Sequence, residues 1–369
     1  MRIGVLVLAA GRRAGGPETY EVELLRALDR CGAGHEYIVY CTDQAAVEVI
    51  GVYSGNFKFR ILRPAVRWVS LAVTLPILMR KDRIDLLHAT FAPPPLHSER
   101  LVMTVHGLVN FVHPEFFSPD RLRRLNPLMR KGIKQAESLL FVSEHAMRQT
   151  QEMFHIPAER SMVVYHGVGA HFRPIPRAEA RMQVRERFGV DGPYLLYCGK
   201  IQPGKNVELL VSAYNEFARR TGCTLPLLMV GRNVSGILHE RTDARSDSGG
   251  TVILAGHVPS EELPAIYSAA EMLLFPSLFE SFGLPVLESM ACGTPVICSN
   301  AAALPEIAGG AALMVDPHSI EELVGAMIRL SQSSDLRETL IGRGQARARQ
   351  FSWDQCARDT LKAYAQAAR

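Results

Sequence analysis

The chain has 369 residues, 47% of them hydrophobic and 21% charged, with 41 Lys or Arg against 37 Asp or Glu and a formal net charge of +4. At about 150 residues per domain this length predicts two domains, and the composition excludes a mini-protein, a disordered chain and a fibrous repeat. The positive excess is too small to argue for nucleic acid, but it suits an anionic ligand or a membrane surface.

The chain opens on an apolar run, Arg2 to Ala10, followed by Gly11-Arg12-Arg13 where a signal peptide would carry a small-residue cleavage site; this predicts a first strand. Ile3–Ala9, Tyr37–Cys41, Phe57–Leu62, Asp85–Ala89, Leu101–His106 and Leu139–Val142 read as strands separated mostly by helical patterns. A second series runs through Tyr194–Cys198, Leu227–Val230, Val252–Ala255, Met272–Phe275, Val296–Cys298 and Ala312–Val315, and from Ser319 onward the chain reads as helix. Strands alternating with helices predict parallel βαβ units, because a parallel crossover needs about a dozen residues to return. The fold class is therefore α/β, with two doubly wound parallel-sheet domains whose ligands sit at strand C-termini. The Gly- and Pro-broken stretch Tyr165–Pro176 is the expected linker, giving domains at 1–172 and 173–350 and a last helical segment at 351–369. Seven cysteines, an odd number without CxxC pairs, point to a reducing compartment, and the cytoplasm is the expected location. The longest apolar stretch, Trp68 to Met79, is interrupted by Ser70, Thr74 and Pro76 and is too short to cross a bilayer. The Asn233-Val234-Ser235 sequon is set aside, since a cytoplasmic chain would not meet the glycosylation machinery.

Three motifs carry chemistry. Gly199-Lys200 through Gly204-Lys205-Asn206 follows a strand and opens a helix, like a P-loop, but Asn206 stands where magnesium needs a hydroxyl. Two lysines beside a helix N-terminus remain an anion site; the bland alternative is a solvated basic turn. Gly15-Gly16-Pro17-Glu18, after the first strand, lets backbone approach a diphosphate, or is an ordinary turn. The dehydrogenase fingerprint is absent, since Gly32-Ala33-Gly34 follows a helix. In the third motif Glu280 precedes and Glu288 follows the start of a helix near Gly283-Leu284-Pro285, about 7.5 Å apart along the axis from Gly283 to Glu288. Two carboxylates flanking one anion-binding helix end suit a phosphate between two hydroxyl-bearing groups; either alone would read as a surface glutamate.

Glu280 to Glu288, and the wider run Ser281–Ile297, resemble the E-x7-E signature region of the retaining glycosyltransferase family 4, two-domain enzymes of GT-B fold. Leu304-Pro305-Glu306, Val315-Asp316-Pro317, Gly15-Gly16, Thr104–Gly107, His166-Gly167-Val168 and Gly256-His257-Val258 follow in family-like order, so the resemblance covers nearly the whole chain. It implies a nucleotide-sugar donor on the C-terminal domain, a glycan or glycolipid acceptor on the N-terminal domain and chemistry in the cleft between them. It also implies a last helix, from Phe351-Ser352-Trp353, that returns to the N-terminal domain. By resemblance Lys200, Lys205, Gly16 and the helix start after Gly283 neutralise the donor diphosphate. Glu288 holds the ribose, while Glu280 with the Phe282 and Gly283 amides grips the transferred sugar. Main chain near Val258 meets the base, and His106 touches a sugar hydroxyl; Gly15 and Leu284 complete the donor set. No cofactor and no metal are expected, the chain having no Asp-x-Asp, and retention by front-face attack is a family expectation. Two departures are His166-Gly167-Val168-Gly169 where relatives often have Asn-Gly-Val-Asp, and Lys200 where many have Arg.

The resemblance of Tyr194–Asn206 and Ala301–Pro317 to mannosyltransferase-like members favours mannose from GDP-mannose, in cell-surface polysaccharide assembly. UDP-glucose or UDP-N-acetylglucosamine is the alternative donor. Two rivals are a silent nucleotide-sugar-binding regulator, opposed by the intact Glu280, Glu288, Lys200, Lys205 and His106, and a P-loop NTPase, opposed by Asn206. Arg121, Arg123, Arg124, Arg130, Lys131 and Lys134, with no acid between them, read as a solvated helix face or as a contact with anionic lipid at the inner face of a membrane.

Overall fold

A computed structural model describes residues 1–369 except 33, 53, 65, 98, 235, 237–249 and 369. Ala33 of the Gly32–Gly34 turn and Ser235 of the sequon therefore lie outside the described residues. The chain divides into two compact units, one formed by 1–167 with 352–369, the other by 168–351. It leaves the first unit before the boundary expected at 172, inside the predicted linker.

The first unit holds a seven-stranded parallel sheet in the order β3-β2-β1-β4-β5-β6-β7. The strands are β1 (Arg2–Leu6), β2 (Glu36–Cys41), β3 (Phe57–Ile61), β4 (Leu86–Ala89), β5 (Arg100–Val105), β6 (Ser138–Phe141) and β7 (Ser161–Val163). The second unit holds a six-stranded parallel sheet in the order β10-β9-β8-β11-β12-β13. Its strands are β8 (Leu195–Cys198), β9 (Leu227–Val230), β10 (Val252–Gly256), β11 (Met272–Phe275), β12 (Val296–Ser299) and β13 (Leu313–Val315). The central strands β4, β6, β8, β9, β11 and β12 are buried along their whole length. Helices cover both faces of such sheets, so the strands read as continuous apolar runs without alternation.

Twelve predicted strands correspond to observed ones, with shifted ends. The largest shift is at β1, predicted to reach Ala9 but ending at Leu6. Beyond it the Leu8, Ala9 and Ala10 amides donate to the buried Glu21 carboxylate at 2.7–2.9 Å, so a side chain replaces the neighbouring strand as their acceptor. The strand not predicted, β7, is three residues long at the sheet edge.

Helix starts carry local signals. Ser143, Ser319, Ser333 and Ser352 each accept the N–H three residues on from their own side chains, a cap that contributes about 1 kcal/mol. The helix Trp353–Ala367 returns to the first unit and turns Trp353, Cys356, Ala357, Thr360, Ala363, Tyr364 and Ala367 inward. A Cβ on Gly167 would lie 2.1 Å from the Trp353 nitrogen, so only glycine lets the outgoing and returning segments run side by side.

Candidate active site

In an open parallel sheet ligands gather where strand order reverses. That point lies between β1 and β4 in the first unit and between β8 and β11 in the second. The candidate residues sit at the ends of these strands or of the strands beside them.

In the second unit the loop after β8 carries Lys200 and Lys205, and the loop after β11 carries Glu280 to Gly283. The two loops are fastened together. The Leu278 N–H donates to the Gly204 carbonyl at 3.0 Å. Asn206, in the left-handed region at φ 58°, donates its side-chain amide to the carbonyls of Pro276 at 3.1 Å and Pro317 at 2.6 Å. The residue that departs from the P-loop pattern thus ties three loops into one rim. Lys205 Nζ pairs with Glu280 Oε1, which also accepts from Ser277 Oγ at 3.2 Å. The ammonium lies 5.7 Å from the centre of the Phe275 ring, an aromatic face that favours a cation.

The helix Leu284–Ala291 begins at Gly283, held at φ 111°, and a Cβ there would meet Leu304 at 2.6 Å. Pro285 has no N–H and Val286 N–H returns to the Gly283 carbonyl at 3.0 Å. The Gly283 and Leu284 amides, three and four residues beyond Glu280 at the start of this helix, belong to the first-turn N–H groups that have no acceptor within a helix and can serve an anion. Phe282 packs its ring inward against Phe351, with centroids 5.9 Å apart. Val258, after β10, is likewise buried.

Glu288 lies on the same helix, 9% exposed, and accepts the Tyr267 hydroxyl at 2.9 Å. Burial raises its pKa from 4.5 to about 7, against the opposing effect of the tyrosine hydrogen bond. The tyrosine occupies one carboxylate oxygen, Oε2. A hollow of about 370 Å³ lined by Phe172, Arg173, Gln345 and Arg349 contains none of Lys200, Lys205, Glu280 and Glu288, and reaches this region only through Ala291 and Phe351.

In the first unit His106 follows β5, and its Nε2 lies 2.8 Å from the Thr90 carbonyl oxygen. A carbonyl only accepts, so Nε2 carries the proton and Nδ1 is the acceptor. Burial lowers the His106 pKa to about 4, which keeps the ring neutral. Tyr20 meets this ring edge-on at 4.8 Å and stacks on His166 at 4.9 Å, which stacks on Trp353 at 5.4 Å. Beneath, the Tyr20 hydroxyl, Thr104 Oγ1, His88 and the Tyr364 hydroxyl form a buried chain with links of 2.7–2.8 Å. The returning helix thereby helps hold His106.

Gly15, at φ 76°, precedes the helix Gly16–Cys31. Its loop is organised by two carboxylates: Glu18 accepts from the Gly11 and Ala14 amides, and Glu21 from residues 8–10 and from Thr90 Oγ1 at 2.6 Å. Sequence reasoning missed Glu21, Tyr267, the Asn206 ties and the His88 network. A signal existed for Glu21, an acid on the apolar stripe Tyr20, Leu24, Leu25, Leu28. The basic segment forms part of the helix Pro119–Gln135. Four of its cations have partners within the unit: Arg121 lies over Phe117, Arg123 pairs with Asp120 at 3.5 Å on the exposed surface, Arg130 lies over Phe111 and Phe154, and Lys131 donates to the Pro95 carbonyl.

Comparison with known proteins identifies the family and the fold. Residues 14–171 match the family model Glycosyltransferase Family 4, and residues 180–347 match Glycosyl transferases group 1. The O-antigen chain mannosyltransferase B of Escherichia coli is 33% identical over 273 residues, 73% of this chain and 71% of that protein. A D-inositol 3-phosphate glycosyltransferase of a Nocardioides species is 32% identical over 96% of this chain and 86% of its own length. The structure of Anabaena HepE in complex with UDP-glucose aligns with a TM-score of 0.77 over 99% of both chains, at 19% identity. The two parallel sheets and this structural likeness define the GT-B fold, and the family matches and the 33% identical relative make the chain a glycosyltransferase. The chain belongs to glycosyltransferase family 4, among its mannosyltransferase-like members, and is an enzyme.

Proposed function

We propose that this enzyme transfers mannose from GDP-mannose to a glycan or glycolipid acceptor in cell-surface polysaccharide assembly, with retention of configuration and without a metal ion. The observation that carries the reading is the Lys205–Glu280 pair together with the Gly283 and Leu284 amides at the helix start. Mannosyltransferase relatives support the choice of sugar.

The second unit binds the donor. Lys205 keeps two N–H donors beyond the one on Glu280, and with Lys200 it supplies positive charge as the glycosidic C–O bond breaks and the diphosphate leaves. The acceptor hydroxyl forms the new bond on the same face and gives its proton to the departing phosphate oxygen. Glu280 and the Phe282 and Gly283 amides hold the hexose, Glu288 accepts from the ribose, and backbone near Val258 meets the base. The first unit takes the acceptor; Gly15 and Gly16 approach the diphosphate, and His106 Nδ1 accepts a sugar hydroxyl. The enzyme works in the cytoplasm, where Arg121, Arg123, Arg124 and Lys134 of the basic helix lie at an anionic membrane surface.

The test is transfer of radiolabelled mannose from GDP-mannose to membrane extracts in EDTA, beside the UDP-hexoses. Labelled product from GDP-mannose alone is expected. Product only from UDP-glucose or UDP-N-acetylglucosamine would replace the donor, and dependence on added magnesium would overturn the metal-independent mechanism.

A further inference from the structure

The helical segment between β3 and β4 is apolar on two sides. It comprises Arg67–Val69, a π turn Ser70–Thr74 and Leu75–Asp82. Leu71, Leu75 and Met79, four residues apart, are buried against the unit. Val69, Val73 and Ile77, also four apart, face outward at 46, 54 and 61% exposure, with Val66 and Trp68 exposed beside them. Five of the thirteen exposed large apolar side chains of the described residues fall in these twelve positions. A helix surrounded by water normally keeps one face polar, and a contiguous outward stripe of this kind marks a contact surface.

Its rim is basic. From Lys58 to Arg83 the sequence has seven Lys or Arg and one acid, Asp82. That acid is turned inward, accepting from the Tyr40 hydroxyl at 3.0 Å and pairing with Arg60 at 2.8 Å. Lys58 is answered by Glu36. Arg63, Arg80, Lys81 and Arg83 form no ion pair among the described residues. A second copy of this chain laid on the stripe would set these cations against themselves. A bilayer carrying anionic lipid supplies both complements, acyl chains for the valines and isoleucine and negative headgroups for the rim.

We infer that the segment Val66–Ile77 is an in-plane anchor that inserts its outward stripe into the interface of an anionic membrane. The basic helix Pro119–Gln135 differs in kind: none of the exposed large apolar residues lies on it, so it attracts by charge alone. This inference stands independently of the donor and the reaction.

The chain contains a reporter. Of its two tryptophans Trp68 is 41% exposed and Trp353 is buried. The full chain is titrated with vesicles of phosphatidylcholine and phosphatidylglycerol in equal parts, and with phosphatidylcholine alone. The anchor predicts a blue shift of tryptophan emission and co-flotation with the anionic vesicles. V69S/V73S/I77S weakens partition by about tenfold or more, whereas R121Q/R123Q/R124Q/K134Q keeps the blue shift. These positions are exposed, and an unchanged thermal midpoint confirms that each variant is folded. Binding that survives V69S/V73S/I77S but is lost in the arginine and lysine variant would overturn the inference in favour of a purely electrostatic contact. Absence of vesicle binding by the unaltered chain, with the stripe instead capturing an acidic protein or a second copy, would also overturn it.

Discussion

Lys205 Nζ rests on Glu280 Oε1, and the two side chains are only 18% and 12% exposed. One residue comes from the loop after β8 and the other from the loop after β11, so the pair clamps the rim as well as charging it. Lys205→Met is expected to lower kcat by about a hundredfold or more, and to lower stability by about 1–3 kcal/mol through the unpaired carboxylate. K205M/E280Q restores the thermal midpoint without restoring turnover. Steady-state kinetics beside thermal melts separate the two roles; full activity in K205M would remove the lysine from the mechanism.

Asn206 is the rim's second fastener. Asn206→Ala removes two side-chain hydrogen bonds and leaves alanine at φ 58°, a loss of about 2–3 kcal/mol. The expected result is a lower thermal midpoint and a raised donor KM. Asn206→Ser, which completes the P-loop pattern, is expected to show no magnesium-dependent ATP hydrolysis.

Glu288 makes the second unit sensitive to pH. Its pKa is 4.5 as an ordinary carboxyl and about 7 when folded, because burial disfavours the charged form. Below pH 4.5 both states hold the proton. Between 4.5 and 7 the unfolded chain gives up a proton that the folded chain keeps, so this contribution to stability falls as pH rises and is gone above 7. The difference in thermal midpoint between Glu288→Gln and the parent should therefore grow in favour of the variant from pH 4.5 to 7, while donor KM rises. A constant difference across that range would contradict the shift.

The first unit responds in the opposite sense. Burial lowers the pKa of His88 to about 3 and of His106 to about 4, and holds His166 well below its usual 6.5. Folded-state pKa values below 6.5 give stability that is complete above 6.5 and lost as pH falls toward the folded values. Denaturant unfolding followed by tryptophan emission should show stability dropping below pH 6.5, with up to three protons taken up. His106→Asn should reduce that uptake by one and lower kcat; an unchanged uptake would place His106 outside the buried set.

Much of this was legible because the strands of a parallel sheet are uninterrupted apolar runs, and because Glu280 and Glu288 are fixed by local spacing around Pro285. What was not legible depends on long-range contact. Residues 7–10 look like strand, and only the folded helix brings Glu21 to their amides. Asn206 reads as a defect in a P-loop until Pro276 and Pro317 arrive beside it. His88 has the pattern of a core position, and its partners Thr104 and Tyr364 come from a strand and a helix far along the chain. Trp68 to Met79 is interrupted by Ser70, Thr74 and Pro76, and among the described residues no helix is long and apolar enough to cross a membrane. The Trp68–Met79 sequence did not show that four of its nine apolar residues, Trp68, Val69, Val73 and Ile77, are exposed.

The most direct test of the central claim is calorimetric titration of the purified chain with GDP-mannose and with UDP-glucose in EDTA, on the parent and on K205M. The account predicts that GDP-mannose binds without metal, that UDP-glucose binds much more weakly, and that K205M loses about tenfold or more in affinity. Tight binding of UDP-glucose with none of GDP-mannose, or binding that appears only when magnesium is added, would contradict it.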